Sequence, residues 1–217
     1  MSTSAKSLLS TDARKGRETR GDARRALLLQ TTLRLIGEQG IAAVNHRSVA
    51  KAADVPLGST TYWFGSRQEM LTEALREFVR VENDTLEFRL SGIAEEGMPT
   101  DELVDAFAAH LASQLGEDRW RTVAQYTLMQ EAIRDPELEA ICREWSEAWT
   151  QALTPLFERL GAADPELESG TFLALLDGLL INQLATPDPD AEERLLRPAL
   201  EAWFTRFEEP EADRRHP

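Results

Sequence analysis

The side chains best suited to covalent or metal chemistry are sparse in this chain. It has three histidines, His46, His110 and His216, and a single cysteine, Cys142. Together they make no plausible metal set. No glycine-rich phosphate loop and no nucleophile elbow is present. Asp and Glu are plentiful, but solvated helix surface explains nearly all of them, and no acid–base pair or activated nucleophile emerges. The expected chemistry is therefore non-covalent recognition, with no catalysis, no cofactor and no metal. The residues best suited to it lie within 45–64.

That stretch reads as helix, tight turn, helix. Asn45 is a good N-cap, so the first helix starts at about His46, with Val49, Ala52 and Ala53 on one face. Asp54 tolerates the left-handed conformation that ends such a helix. Val55 is an apolar plug, and Pro56 suits a first helical turn. Thr60 and Phe64, four apart, can both face inward. Leu57, Ser59, Thr61 and Tyr62 are left pointing outward, with the backbone bare at Gly58. Small hydroxyls, one glycine and one tyrosine make a poor core face. They suit close approach to a DNA major groove. Arg47 can reach a guanine edge or a phosphate, and His46 the backbone beside it. Leu57, Gly58 and Ser59 sit at the helix end that meets bases, Leu57 suiting a thymine methyl. Thr61, Tyr62 and Arg67 are better placed for phosphates, which set register. Trp63 reads as packing between helices.

Residues 28–75 resemble the DNA-binding domain of the TetR family of bacterial transcriptional regulators. The resemblance rests on Leu28-Leu29 with Leu35-Ile36 and Gly40, then Arg47 with Val49-Ala50, then Ala53-Asp54-Val55. It continues through Gly58 to Tyr62 and Phe64, then Ser66-Arg67 with Met70-Leu71. Asp54 stands where the family usually has Gly, and Thr61 where an aromatic phosphate contact is usual; Tyr62 next door is the candidate to take that contact. Beyond residue 75 the likeness is one of layout only. The resemblance implies a homodimer that binds a double-stranded operator and a cavity for a small-molecule effector.

Net charge supports a division of labour. The whole chain carries −14, which is wrong for a DNA binder until it is split. Residues 1–65 hold ten Lys or Arg against five Asp or Glu, and residues 66–217 hold fourteen against thirty-three. The positive excess sits with the helix-turn-helix, and the acidic remainder would repel phosphate and orient the molecule. There is no uninterrupted apolar run of about 18 residues and no apolar segment after the N-terminal charges. With its lone cysteine, the chain is expected in the bacterial cytoplasm, at the nucleoid through its operator, with no membrane partner.

The expected fold is all-α, with roughly nine helices by periodicity. Residues 1–20 are a basic arm with two readings, a solubilising tail or a phosphate-touching arm. Residues 21–66 form the three-helix DNA-binding domain, 67–209 a helical ligand and dimerisation domain, and 210–217 a tail. A first helix spans about Asp22 to Gln39, with Gly40 ending it. A fourth opens with Ser66 and Glu69, a capping-box spacing. Its stripe of Met70, Leu71, Ala74, Leu75, Phe78 and Val81 runs to about Leu90 and stops at Ser91-Gly92. Thr100 is expected to cap the next helix. Asp135-Pro136, Asp164-Pro165 and Asp188-Pro189 each mark a helix start, and Pro155 should kink the helix it interrupts.

The last two helices, about 166–185 and 191–208, are apolar around more than half their circumference. Either they are fully central or they dimerise as a four-helix bundle. The second reading is preferred, through Leu173, Leu176, Leu180, Leu184, Leu196, Leu200, Trp203 and Phe207. In the middle of the chain Phe107, His110, Gln125, Tyr126, Met129, Trp145 and Trp149 mix bulky and polar groups. They read as ordinary core or as the walls of the cavity the resemblance implies. Asp177 is a satisfied interior carboxylate or a polar ligand contact. Sparse polar anchors among aromatics would suit an apolar aromatic or cationic effector. A rival reading is a helical dimer acting through protein partners without specific DNA binding.

Overall fold

A computed structural model describes residues 20–95, 98–116 and 119–208. The N-terminal arm before Arg20 and the tail after Glu208 lie outside the described residues. Among those described, nine α-helices and no strand are found. They are α1 (Arg20–Gln39), α2 (His46–Ala52), α3 (Leu57–Trp63), α4 (Arg67–Glu95), α5 (Thr100–Leu115), α6 (Arg119–Ala132), α7 (Pro136–Arg159), α8 (Pro165–Ala185) and α9 (Arg197–Phe204). No described helix is long and apolar enough to cross a membrane.

The helix ends follow local chemistry. Asn45 accepts from the amides of Arg47 and Ser48 at 3.1 and 3.0 Å, and Ser48 Oγ accepts from the Asn45 amide at 3.0 Å. This reciprocal cap fixes the start of α2. Asp54 adopts φ 52°, the left-handed turn between α2 and α3. Gly40 (φ 82°) and Gly161 (φ 75°) end α1 and α7, where any side chain would be strained. Asp135 and Asp164 cap α7 and α8 through their side chains.

Several ends differ from expectation. α4 runs past Ser91-Gly92 to Glu95, and Val79 joins its buried stripe while Val81 is half-buried. Pro99, not Thr100, occupies the N-cap position of α5, with no side-chain cap. α7 continues through Pro155, which is exposed, so water can reach the carbonyl it leaves unpaired. The last segment is not one regular helix. π-helical turns over Glu192–Leu196 precede the short α9, and a 3-10 turn over Thr205–Phe207 follows it.

α1 carries the expected stripe, with Leu28, Leu29, Thr32, Leu33, Leu35 and Ile36 all buried. It packs on α2, α4 and α6. α4 is the spine, contacting α1, α6 and α7. Behind it, Phe107 of α5, Phe157 of α7, Phe172 of α8 and Phe204 of α9 interlock, with Phe107 and Phe172 edge to face at 4.9 Å. Each such ring contributes about 1.5–3 kcal/mol by burial alone. Phe107, expected at a ligand site, is thus packed into this core knot.

This packing also bears on the residues expected at a dimer face. Leu176, Leu180, Leu196 and Leu200 are buried within the single chain, which leaves them little surface to offer a second copy. Leu173, Leu184, Trp203 and Phe207 are half-buried against the same core. The open side of α8 carries Leu167, Thr171, Ala174, Gly178 and Ile181 instead, with Leu167 64% and Ile181 49% exposed. Most of the α8 leucines fill the interior, while the open side mixes the small residues Thr171, Ala174 and Gly178 with Leu167 and Ile181.

Candidate nucleic-acid interface and internal cavity

The outward face of α3 is built from its first and last turns. Leu57 is 47% exposed and Tyr62 79%, Thr61 is exposed and Ser59 half-buried. A Cβ at Gly58 would meet nothing within 4 Å, so this face is open. Thr60 turns inward and is buried, its hydroxyl within reach of the Leu57 and His46 carbonyls at 2.8 and 3.3 Å. That bond ties α3 to α2. The Thr61 hydroxyl donates back to the Gly58 carbonyl at 3.3 Å. Tyr62 stands edge to face against Trp63 at 5.1 Å. Half-buried Trp63 thus props the tyrosine outward.

Arg47 is exposed on the first turn of α2, and Lys51 follows it one turn later. Sequence reasoning had not singled out Lys51, although the i, i+4 spacing puts it on the same face. His46 is half-buried, and its Nδ1 is buried without a partner. Arg67, expected at a phosphate, is exposed and also has a task within the protein. Its guanidinium donates to the carbonyls of Ile41 and Val44 at 2.6 and 2.8 Å. It clamps the start of α4 onto the segment that leads into α2.

A cavity of about 70 Å³ lies among α4 to α8. Six of the residues expected at a ligand site meet there: His110 from α5, Gln125 and Met129 from α6, Trp145 and Trp149 from α7, and Asp177 from α8. Tyr126 stands behind them, donating to Asp177 at 2.7 Å. Burial pushes the Asp177 carboxyl above the usual carboxylate range against the pull of that bond, and burial likewise raises the Tyr126 hydroxyl. Glu82, Gln114, Cys142 and Ser146 complete the polar lining and were missed, since nothing local in the sequence aims them at one point. Burial holds the Cys142 thiol above its ordinary range, which disfavours thiolate reactivity. Leu173, Leu176 and Leu180, expected at a dimer face, form the apolar floor. Among the described residues no cluster of His, Cys, Asp and Glu could hold a metal ion.

The cavity touches the head by two routes. Through α4, Glu82 pairs with Arg121 of α6 at 2.8 Å, and Gln68 and Thr72 bond Asp135 and Glu137 at the start of α7. Through α6, Trp120 packs so tightly on α1 that a Cβ at Gly37 would lie 2.0 Å from the Trp120 carbonyl oxygen. The guanidinium of Arg34 lies over the same indole at 5.5 Å.

Three-helix head, long connecting helix and helical body with an internal pocket together define a class, the helical one-component regulators. Residues 98–210 match the family described as tetracyclin repressor-like, C-terminal domain. The HTH-type transcriptional repressor KstR of Rhodococcus jostii is 30% identical over 181 residues, covering 71% of this chain and 84% of the relative. The HTH-type transcriptional regulator BetI of Agrobacterium fabrum is 27% identical over 161 residues, covering 73% and 75%. The multidrug binding protein EbrR, solved in complex with ethidium, is 31% identical with a TM-score of 0.62, covering 83% of this chain and 98% of that one. The chain belongs to the TetR family of DNA-binding transcription regulators.

Proposed function

We propose that the protein is a homodimeric repressor that holds a near-palindromic operator and releases it when a small molecule enters the cavity. The observation that carries this reading is the bare outward face of α3. It presents Leu57, Gly58, Thr61 and Tyr62 unobstructed, flanked by Arg47 and Lys51. Leu57, Gly58 and Ser59 approach base edges, while Thr61, Tyr62, Arg47 and Lys51 serve the backbone and a guanine edge. His46 sits at the edge of this surface. Two copies meeting along the open sides of α8 and α9 would set two recognition helices about 34–36 Å apart, one duplex turn.

The effector is small and aromatic or cationic. Two indoles and a carboxylate face the cavity, and EbrR, which binds the organic cation ethidium, is similar over most of its length. Release requires the occupied cavity to favour a different head spacing, for which a coupling of about 1–3 kcal/mol is enough. The test is selection of bound duplexes from a random pool, followed by titration with salt and with ethidium. A palindrome whose affinity falls steeply with salt is expected, with Arg47→Ala relaxing preference at one position per half-site. Flat binding across all duplexes at every salt concentration refutes the reading and favours a dimer acting through protein partners.

A further inference from the structure

The cavity is bolted on the side of α4, α5 and α6. Glu82 pairs with Arg121 at 2.8 Å, and the Arg121 guanidinium lies over the rings of Phe78 and Trp120 at 5.7 and 6.0 Å. Gln114 accepts the Thr122 hydroxyl at 3.0 Å and meets His110 at 3.1 Å, which ties α5 to α6. Entry from that side would break these contacts together.

Along α7 the boundary is different. Ser146 is exposed, and it lines the cavity. It also lines a groove of about 480 Å³ between α7 and the start of α8, with Thr150, Gln151, Pro155 and Glu166. One small side chain is thus a wall of both spaces. The spacing is helical. Cys142 in the cavity, Ser146 at the boundary and Thr150 in the groove are four apart each, so they follow one face of α7. Pro155 has no amide to offer the Gln151 carbonyl, and both residues line the groove. A rung of α7 is missing in that wall, which makes the helix easier to bend away from α8.

We propose that this groove is the vestibule through which the effector reaches the cavity, with Ser146 as the sill between the two. The cavity of about 70 Å³ is then the inner end of a longer path. A ligand larger than the cavity lies across the sill, with part of its length in the groove. The inference rests on reading the cavity as the effector site, and adds the route into it.

Cys142 is the sole cysteine of the chain, so it reports entry without any effector. The rate at which methyl methanethiosulfonate modifies it is followed by mass spectrometry on the full chain. Ser146→Phe and Thr150→Trp should each slow that rate about tenfold or more, the thiol then waiting on rarer separations of α7 and α8. Thr150 is eight residues from Cys142, about 12 Å along the helix, too far to shield the thiol itself. Gln151→Trp repeats the block from an exposed position should Thr150→Trp lose its fold, which a thermal scan checks. Glu139→Phe is the control for shielding. Glu139 is exposed, three residues from Cys142, and lines neither space, so the rate should not change. Arg121→Met, which removes the bolt, should also leave it unchanged.

No slowing by the folded groove variants, equal slowing by Glu139→Phe, or faster labelling in Arg121→Met would each overturn the proposal. So would a thiol modified only as fast as the chain unfolds, a rate that pulse proteolysis measures. Operator release separates the two readings. Labelling that obeys the groove variants in a protein that no small molecule releases from DNA breaks the switch and leaves the vestibule standing. Release by ethidium from a protein whose labelling ignores every groove variant breaks this inference alone.

Discussion

Replacing Gly37 by alanine tests how the DNA-reading head is seated on the body. The new Cβ would lie 2.0 Å from the Trp120 carbonyl oxygen and 2.8 Å from its carbon, both backbone atoms. Carbon atoms in contact sit about 3.5–4.0 Å apart, so α1 must retreat from α6 by about 1 Å or more. Added methyl groups in close-packed interiors cost about 1–3 kcal/mol. For a chain of this length that is a fall in Tm of about 2–12 °C. α2 and α3 follow α1, so the same retreat displaces the recognition helix, and operator affinity should drop by up to about tenfold, equivalent to about 1.4 kcal/mol. Differential scanning fluorimetry and operator anisotropy measure both quantities. Gly58→Ala is the control for Tm, because its Cβ meets nothing within 4 Å and alanine in a helix is the better residue. A Gly37→Ala protein with unchanged Tm and unchanged operator affinity would refute the claim that α1 and α6 are locked together.

Arg67→Met should lower stability by about 1–3 kcal/mol through loss of the bonds to Ile41 and Val44. It should leave the salt slope of operator binding unchanged; a slope smaller by about one unit would restore Arg67 as a phosphate contact. Ile181→Glu should yield folded monomers by sedimentation, whereas Leu180→Glu, placing charge in the protomer's own core, should lose the fold. A wild type that sediments as a monomer at micromolar concentration removes the dimer and with it the palindrome. Asp177→Asn should stabilise the empty protein at neutral pH. Burial raises the folded carboxyl above its unfolded value, so the folded state holds the proton more tightly and stability falls as pH rises through that window. Thermal scans from acid to neutral pH should show the advantage of the variant shrinking toward acid; an advantage that grows toward acid contradicts the burial argument.

The head was legible because its signals are local. Asn45, Asp54, Pro56 and Gly40 act on the backbone within one or two residues, and the structure finds the cap, the left-handed turn and the helix end where those residues stand. The Asp-Pro starts at 135 and 164 were legible for the same reason. Ser91-Gly92 misled because propensity is a weak prior, about 1 kcal/mol for glycine, and α4 continues past both. α8 was legible as a helix but not in its orientation. Apolar residues surround it, so periodicity could not separate its own core from a second copy. Volume separates them in part: Leu176, Leu179 and Leu180 face inward and Thr171, Ala174 and Gly178 face out, although Leu167 and Ile181 share the open side. The cavity was half legible. Its aromatic and charged walls stood out as types, but Phe107 has the same type and packs in the core knot. Glu82 and Gln114 acquire meaning only when five helices meet.

Arg67 also decides where the molecule can bend. Its two bonds to Ile41 and Val44, with the Gly65 amide held by Glu69 at 2.7 Å, make the junction after α3 a weld and not a joint. Flexing there would break all three bonds together. The head and the first turns of α4 therefore swing as one rigid piece, the short arm of a lever whose long arm is α4. Glu82, at the cavity, lies about 22 Å along that arm from Arg67 at about 1.5 Å per residue. A shift of the helix at the cavity is not absorbed on the way. On the proposed reading it reaches α3 as a rotation, shared with α1 through its tight packing on α6.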